Sequence, residues 1–229
     1  MGSCWSAETG IIPVLDSEVT EWEAFQNLMK EDLNTSLGWK IKKDFKADHK
    51  NGFKVRIALK PEKHGGNPNS LMRADLKYKG VKPVDHLEAL VNPVDLPGFQ
   101  EMNDVEIFEP GSSFVKYLRV KAPGLHARDH CWKYTIDRRE DGSIFCCIRS
   151  TTHPECPARP GIIRAYYYNA TLMTMSGDEP DVMCFTEFIQ QDLKGGLPVC
   201  LMNAALPAGT VAANDSEMKA LRTKGLVKE

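Results

Sequence analysis

The sequence predicts an α+β domain, one antiparallel sheet with helices near both ends of the chain, on three observations. The first is a set of four consecutive extended segments between Ser112 and Thr174. The second is a group of three further extended segments between Gly38 and Lys79, and the third is a pair of stretches with helical spacing, one near each terminus. Alternation at period two describes strands with one buried face, whereas apolar spacings of three and four describe a helix with one buried stripe. No linker, repeat or low-complexity tract divides the 229 residues, of which 42% are hydrophobic, enough for one substantial domain. The expected division is a terminal segment over residues 1–15 and a domain over residues 16–229.

The terminus reads Met1-Gly2-Ser3-Cys4-Trp5-Ser6 and matches the N-myristoylation pattern, with Gly2 exposed once Met1 is removed and Ser6 at the required position. Cys4 offers a site for a palmitoyl group. One myristoyl chain binds a membrane only marginally, with a constant on the order of 10⁴ M⁻¹, so acylation of Cys4 would decide between visiting a membrane and staying there. The plainer alternative is an ordinary frayed terminus.

A helix is expected over residues 17–33, with Val19, Trp22, Phe25, Met29 and Leu33 on one stripe, and with either Thr20 and Glu23 as a capping box or Asp16 or Ser17 as an equally good start. Strands follow over residues 38–45, 52–60 and 71–79; in the second, Phe53, Val55, Ile57 and Leu59 face one way and Lys54, Arg56 and Lys60 the other. The stretch 61–69 is a loop by composition, and its Gly65-Gly66 lacks any phosphate-cradling pattern. A short helix over residues 84–91 stops at Asn92-Pro93, and a strand over residues 104–108 leads into the four central segments.

In those segments Phe114, Leu118 and Val120 share a face, as do Trp132, Tyr134 and Ile136 together with His130. Ile144, Cys146 and Ile148 follow, and then Ile162, Tyr166, Tyr168 and Leu172 with Arg164 set among them. Residues 139–142 and 157–160 supply the turn chemistry between segments. A last strand over residues 182–191 buries either Val182, Cys184 and Phe188 or Met183, Phe185 and Ile189. The closing helix starts near Leu197 with Pro198 in its first turn and carries Leu201, Ala204, Ala205, Val211, Met218 and Leu221 as its apolar side. Pro207 and Gly209 predict a kink or brief break.

The face that alternation buries carries the polar tips of Trp132, Tyr134, Tyr166 and Tyr168 and the charge of Arg164. A solid core would use Leu, Ile and Val instead, because a buried hydroxyl without a partner costs roughly 1–3 kcal/mol. The set therefore points to a lined cavity, with Leu118, His130, Trp132, Tyr134, Arg164, Tyr166 and Tyr168 as ligand-binding candidates. Taken singly, each has a plainer reading: a tyrosine tip in solvent, His130 bonded to a carbonyl, Arg164 paired with a structural carboxylate. Arg128 and Asp129 are strand neighbours that point to opposite faces and read as structural.

A net charge of −2 and a pI near 6.3, with no stripe of Lys and Arg among aromatics, exclude a nucleic-acid surface. Seven cysteines without a Cys-x-x-Cys pair, and no secretory signal, fit a reducing cytosol and no metal site; His153 and Cys156 sit in a proline-stiffened loop. No apolar run approaches the ~18–20 residues that span a bilayer. There is no Gly-x-Ser-x-Gly elbow, no His-Glu-x-x-His helix and no dinucleotide fingerprint, so neither enzymatic chemistry nor a cofactor is expected.

Residues from about Lys77 to Leu206 resemble a START domain, the module related to the steroidogenic acute regulatory protein. The resemblance rests on an ordered set: Arg128-Asp129 opening a strand, Asp141-Gly142 in the next hairpin, Ser150 followed by His153-Pro154, Gly161-Ile162-Ile163-Arg164-Ala165, and Asp192-Leu193-Lys194-Gly195 leading through Leu197-Pro198 to Leu201-Met202-Asn203. It implies a helix-grip fold, in which a curved antiparallel sheet of about nine strands wraps a long C-terminal helix and leaves a lipid-sized tunnel between them. Residues 123–127 would flank the tunnel mouth. The headgroup sites of better-known members do not carry over. In the phosphatidylcholine-binding member's aromatic cage, Tyr168 fits one position but Leu118 and His130 stand at others, and Pro97 replaces the phosphate-binding arginine. Leu118 and Tyr134 stand where the sterol-associated member keeps an acid and an arginine, and Phe99-Gln100-Glu101 replaces a common Trp-Asp pair.

The expected function is capture of one lipid or other hydrophobic molecule in an internal tunnel and its transfer between membranes. The expected protein is a cytoplasmic monomer that meets the membrane surface transiently or through acylated Gly2 and Cys4. A cyclase-like enzyme on the same scaffold, using His130 and Arg164, is one alternative, and a lipid sensor that does not transfer its ligand is another.

Overall fold

The computed structural model describes residues 20–33, 38–43, 53–60, 69–92, 99–121 and 124–227. Gly2, Cys4, His49, His64, Pro97 and the start expected for the first helix lie outside them. The elements run α1 (Glu21–Met29), β1 (Lys40–Lys43), β2 (Phe53–Lys60), β3 (Leu71–Lys79), α2 (Pro83–Val91), β4 (Phe99–Glu109), β5 (Ser113–Val120), β6 (Arg128–Arg138), β7 (Ile144–Ser150), β8 (Ile163–Arg164), β9 (Tyr166–Met175), β10 (Val182–Asp192) and α3 (Val199–Thr223). Nine strands form one curved antiparallel sheet in the order β1-β2-β3-β10-β9-β7-β6-β5-β4, and β8 pairs in parallel with β6 off that path. The chain adopts the expected helix-grip architecture.

Both faces of this sheet are covered, and that decides where each strand points its side chains. On the inner face, Val55, Ile57 and Leu59 of β2, Met72 and Leu76 of β3, Trp132, Tyr134 and Ile136 of β6, and Ile148 of β7 share one core with α2 and with Leu206, Val211, Met218 and Leu221 of α3. On the outer face, α1 lays Phe25 into Phe145, Tyr168 and Phe188. The expected capping box starts α1: the Glu23 N–H donates to the Thr20 hydroxyl at 3.2 Å and the Thr20 N–H to the Glu23 carboxylate at 2.8 Å. The final strand, left ambiguous by its sequence, turns Met183, Phe185 and Ile189 inward and Phe188 outward.

Two expectations change. The fourth central segment is two strands: Ile163 and Arg164 pair with Arg128 and Asp129, and only from Tyr166 does the chain pair with β10. Counting parity from Ile162 through Tyr168 therefore crosses a break. The closing helix, in contrast, is unbroken, with Pro207 and Gly209 both inside it. Its buried residues include Met202, Leu206, Thr210 and Asn214, whereas Leu201, Ala204 and Ala205 are exposed.

The outer core is separable from the inner one. Phe25 is fully buried, with ring centroids 5.3 Å from Phe145 and 5.4 Å from Phe188. Truncation by Phe25→Ala should cost about 3–5 kcal/mol in chemical denaturation, because the site cannot collapse around a missing ring. A loss below about 1 kcal/mol would show that α1 is dispensable to the sheet.

Candidate functional site

The helix α3 crosses the inner face of the sheet without closing on it along its whole length. A row at four-residue spacing, Leu201, Ala205, Gly209, Ala213 and Glu217, faces the sheet across a cavity of about 600 Å³. Three of those five residues carry a methyl group or less, so the gap follows from their small side chains. The adjacent row, Met202, Leu206, Thr210 and Asn214, reaches further and also borders the cavity. The volume lies within the ~300–1,000 Å³ of small-molecule sites.

The sheet supplies the opposite wall. Leu118, Trp132, Ile148, Phe185 and Ile189 make it apolar, and Leu90 of α2 contributes beside Phe185. Val120, Leu125, Leu193, Leu197 and Leu201 surround one end, where Leu125 is 36% and Leu201 56% exposed, so this end opens to solvent. Arg128 fixes the chain there. Its guanidinium donates to the carbonyls of His126 at 2.6 Å, Leu193 at 3.3 Å and Lys194 at 3.5 Å, tying the loop before β6 to the segment before α3. Gly195 permits this approach: it has φ +71°, and a Cβ there would lie 2.6 Å from Ile163 and 3.1 Å from the Arg128 guanidinium.

Of the residues singled out from the sequence, Leu118, His130 and Trp132 line the cavity, and Tyr134, Arg164, Tyr166 and Tyr168 do not. Tyr134 has the expected face but lies fully buried in packed core, its ring 4.8 Å from that of Phe114. Tyr168 points outward into the α1 core, and Tyr166 shares its parity, with the Lys194 ammonium 4.7 Å from its ring. The neighbouring parity of β9 brings Tyr167 and Asn169 to the cavity instead. Arg164 is held by Asp129 through bonds of 2.7 and 3.0 Å and by the Cys156 carbonyl at 3.1 Å, so His130 and Arg164 do not form a paired site. Among the described residues no group of His, Cys, Asp and Glu is placed to hold a metal; His153 bonds Glu106 at 2.7 Å.

The polar groups that the sequence reading missed lie between β9, β10 and α3. The Asn169 amide donates to Glu187 at 3.0 Å and to the Tyr167 hydroxyl at 3.3 Å, while its carbonyl accepts from Thr171. On α3, Asn214 bonds the Tyr78 hydroxyl, and Glu217 lies 3.4 Å from His86 Nε2 of α2. Burial, reinforced by the nearby Glu217, raises the Glu187 pKa to about 8, against the lowering effect of Asn169. Burial likewise raises Glu217 to about 7 and lowers His86 to about 3 and His130 to about 4. One signal for Glu187 stood in the sequence: it shares parity with Phe185 and Ile189, on one of the two faces left open.

Two measurements follow from these placements. Asp129 is 1% exposed, so Arg164→Leu leaves a buried carboxylate without its cation and should cost about 3–5 kcal/mol of stability; a change confined to ligand binding would contradict the structural role. Carboxyls raised in the fold stabilise it fully below their unfolded value of 4.5 and lose that contribution as pH climbs through about 7 and 8. The lowered histidines act in the opposite sense, but only below their unfolded value of 6.5. Unfolding free energy should therefore fall between pH 6.5 and about 8, and Glu187→Gln should flatten that slope; an equal slope in the variant would contradict the burial of Glu187.

No protein-family model matches the sequence. The chain is 23% identical over 204 residues to the curated human protein "StAR-related lipid transfer protein 5", covering 85% of this chain and 90% of that protein. Mouse "StAR-related lipid transfer protein 5" is 24% identical over 128 residues, 53% of this chain and 60% of that one. Among solved structures, human StAR-related lipid transfer protein 5 superposes with a TM-score of 0.69 at 18% identity, covering 89% of this chain and 95% of that chain. Human STARD10 superposes with a TM-score of 0.73 at 18% identity, covering 91% and 83%.

Proposed function

We propose, from the premise that this chain is a START domain of helix-grip fold, that it binds one hydrophobic lipid between α3 and the sheet and moves it between membranes. The observation that carries this reading is the apolar cavity of about 600 Å³ beneath α3. The names of its relatives, lipid transfer proteins, support the same class of ligand.

Size and energetics narrow the reading. At the ~30 Å³ that a water-sized group occupies in a liquid, the cavity takes about twenty methylene-sized groups, a single-chain or fused-ring molecule rather than a two-chain lipid. Drawing some 15 methylenes out of a bilayer costs on the order of 12 kcal/mol at ~0.8 kcal/mol each, unless the protein buries them again. An enclosed cavity offsets that cost; a shallow groove would not.

Release requires an opening, and the solvent-facing end is where one is available. Leu125, Val199 and Leu201 are exposed apolar side chains around it, suited to a membrane surface. Lys194, Gly195 and Gly196, all at positive φ just before α3, form the hinge on which the start of that helix swings. Acylation of Gly2 and Cys4 would hold this end of the cycle at a membrane, consistent with the marginal binding of a single acyl chain.

Ala213→Phe places a ring in the cavity from the α3 side. It should slow transfer of a fluorescent single-chain lipid from donor to acceptor vesicles at least tenfold, without lowering the thermal midpoint. Unchanged transfer would contradict the location of the site. Binding without transfer in the unaltered protein would favour a sensor.

A further inference from the structure

The lipid site proposed above has chemistry that limits its ligand, and the inference rests on that reading. Glu187 is 4% exposed, borders the cavity, and has one carboxyl oxygen, Oε2, bonded to Asn169 at 3.0 Å. Its other oxygen, Oε1, is buried without a hydrogen-bond partner among the described residues. A buried acceptor left unsatisfied costs more than the bond it forgoes, so such groups ordinarily have a partner. The Asn169 amide hydrogens already serve Glu187 Oε2 and Tyr167, so that neighbour has none left for Oε1.

The charge around it is one-sided. Glu217 projects into the same cavity from α3, near enough to raise the Glu187 pKa. No Lys or Arg is among the described residues that line the cavity. The nearest deep-set cations are committed elsewhere, Arg128 to three carbonyls and Arg164 to Asp129. The other unpartnered polar atoms on the lining, His130 Nδ1 and Trp132 Nε1, belong to uncharged rings, since burial lowers His130 to about 4. An anionic head would lose its water there and find no cation to compensate its charge in a medium that screens poorly.

We infer that the cavity selects an apolar molecule whose polar end is a non-anionic hydrogen-bond donor, a hydroxyl or an ammonium, and that Glu187 Oε1 bonds it with Glu217 alongside. Glu187 and Glu217 serve the two donors differently. A hydroxyl bonds the pair without a change of protonation, accepting from a carboxyl O–H and donating to a free carboxyl oxygen, where an ether can only accept. An ammonium displaces a proton from that pair to solvent and leaves a carboxylate as its counter-ion.

Four probes on one C18 chain separate these cases: oleyl alcohol, oleylamine, oleate and oleyl methyl ether, each titrated against the full chain by quenching of tryptophan fluorescence. The alcohol, the amine or both should bind at least tenfold more tightly than oleate and the ether. Glu187→Leu should remove that preference, bringing the favoured probe within threefold of the ether. Glu187→Gln, which keeps an acceptor but no charge, should spare the alcohol and weaken the amine at least tenfold. Oleate binding as tightly as the alcohol and amine, or a preference unaltered by Glu187→Leu, overturns the inference. The Ala213→Phe variant guards the underlying reading: if none of the four probes binds, or all bind that variant as well as the unaltered chain, the cavity itself is not the site.

Discussion

The attachment of α3 to the inner core through one row of side chains, beside a row too small to close the gap, is the constraint on which the rest of the structure depends. Asn203 accepts from the Ser70 N–H at 2.9 Å near the start of the helix, Asn214 bonds Tyr78 further along, and Met218 and Leu221 join the inner core at its end. Leu206, Thr210 and Val211 also reach the inner core between these points, whereas the neighbouring row Ala205, Gly209 and Ala213 lines the gap. Because one end opens to solvent, water can enter the gap and lie against the apolar wall of Leu118, Trp132, Ile148 and Phe185. Covering that wall is what an apolar ligand gains over water.

Two-sided burial is the second consequence. The inner face carries the cavity wall, and the outer face carries a separate aromatic core under α1. Because Tyr168, Phe145 and Phe188 are spoken for on the outer side, the ligand wall is left to Leu118, Trp132, Ile148 and Phe185, with polar groups gathered where β9, β10 and α3 meet. Holding carboxyls in such a place raises their affinity for protons and for any donor that can replace water. The cavity is therefore chemically polarised, with a solvent-facing apolar end and acidic groups behind it.

Much of this was legible in the sequence, and the failures have physical reasons. The strands β2, β3, β5, β6, β7 and β10 and the helices α2 and α3 stand close to where period and capping residues put them, α1 ends at Met29 short of the expected Leu33, and Leu118, His130 and Trp132 do line the cavity. Alternation names the buried face only when the other face meets water. On β9 and β10 neither does, because α1 covers one side, so Tyr168 and Phe188 looked as eligible for the cavity as Tyr167 and Phe185. Arg164 stands level with Asp129, on the side of β6 opposite to His130 and Trp132, and so shares the outward side of Tyr168. Asn214 and Glu217 escaped for a different reason: period and hydropathy treat a polar residue on an apolar stripe as noise, and only the folded chain brings them to one cavity with Glu187.

Whether the space beneath α3 is filled is a question of mass. Native mass spectrometry of the full chain, purified without detergent, should show one bound molecule per chain that is lost when the protein is denatured. A chain that flies bare under the gentlest conditions, with nothing released on denaturation, would contradict the occupied cavity and with it the lipid-binding role.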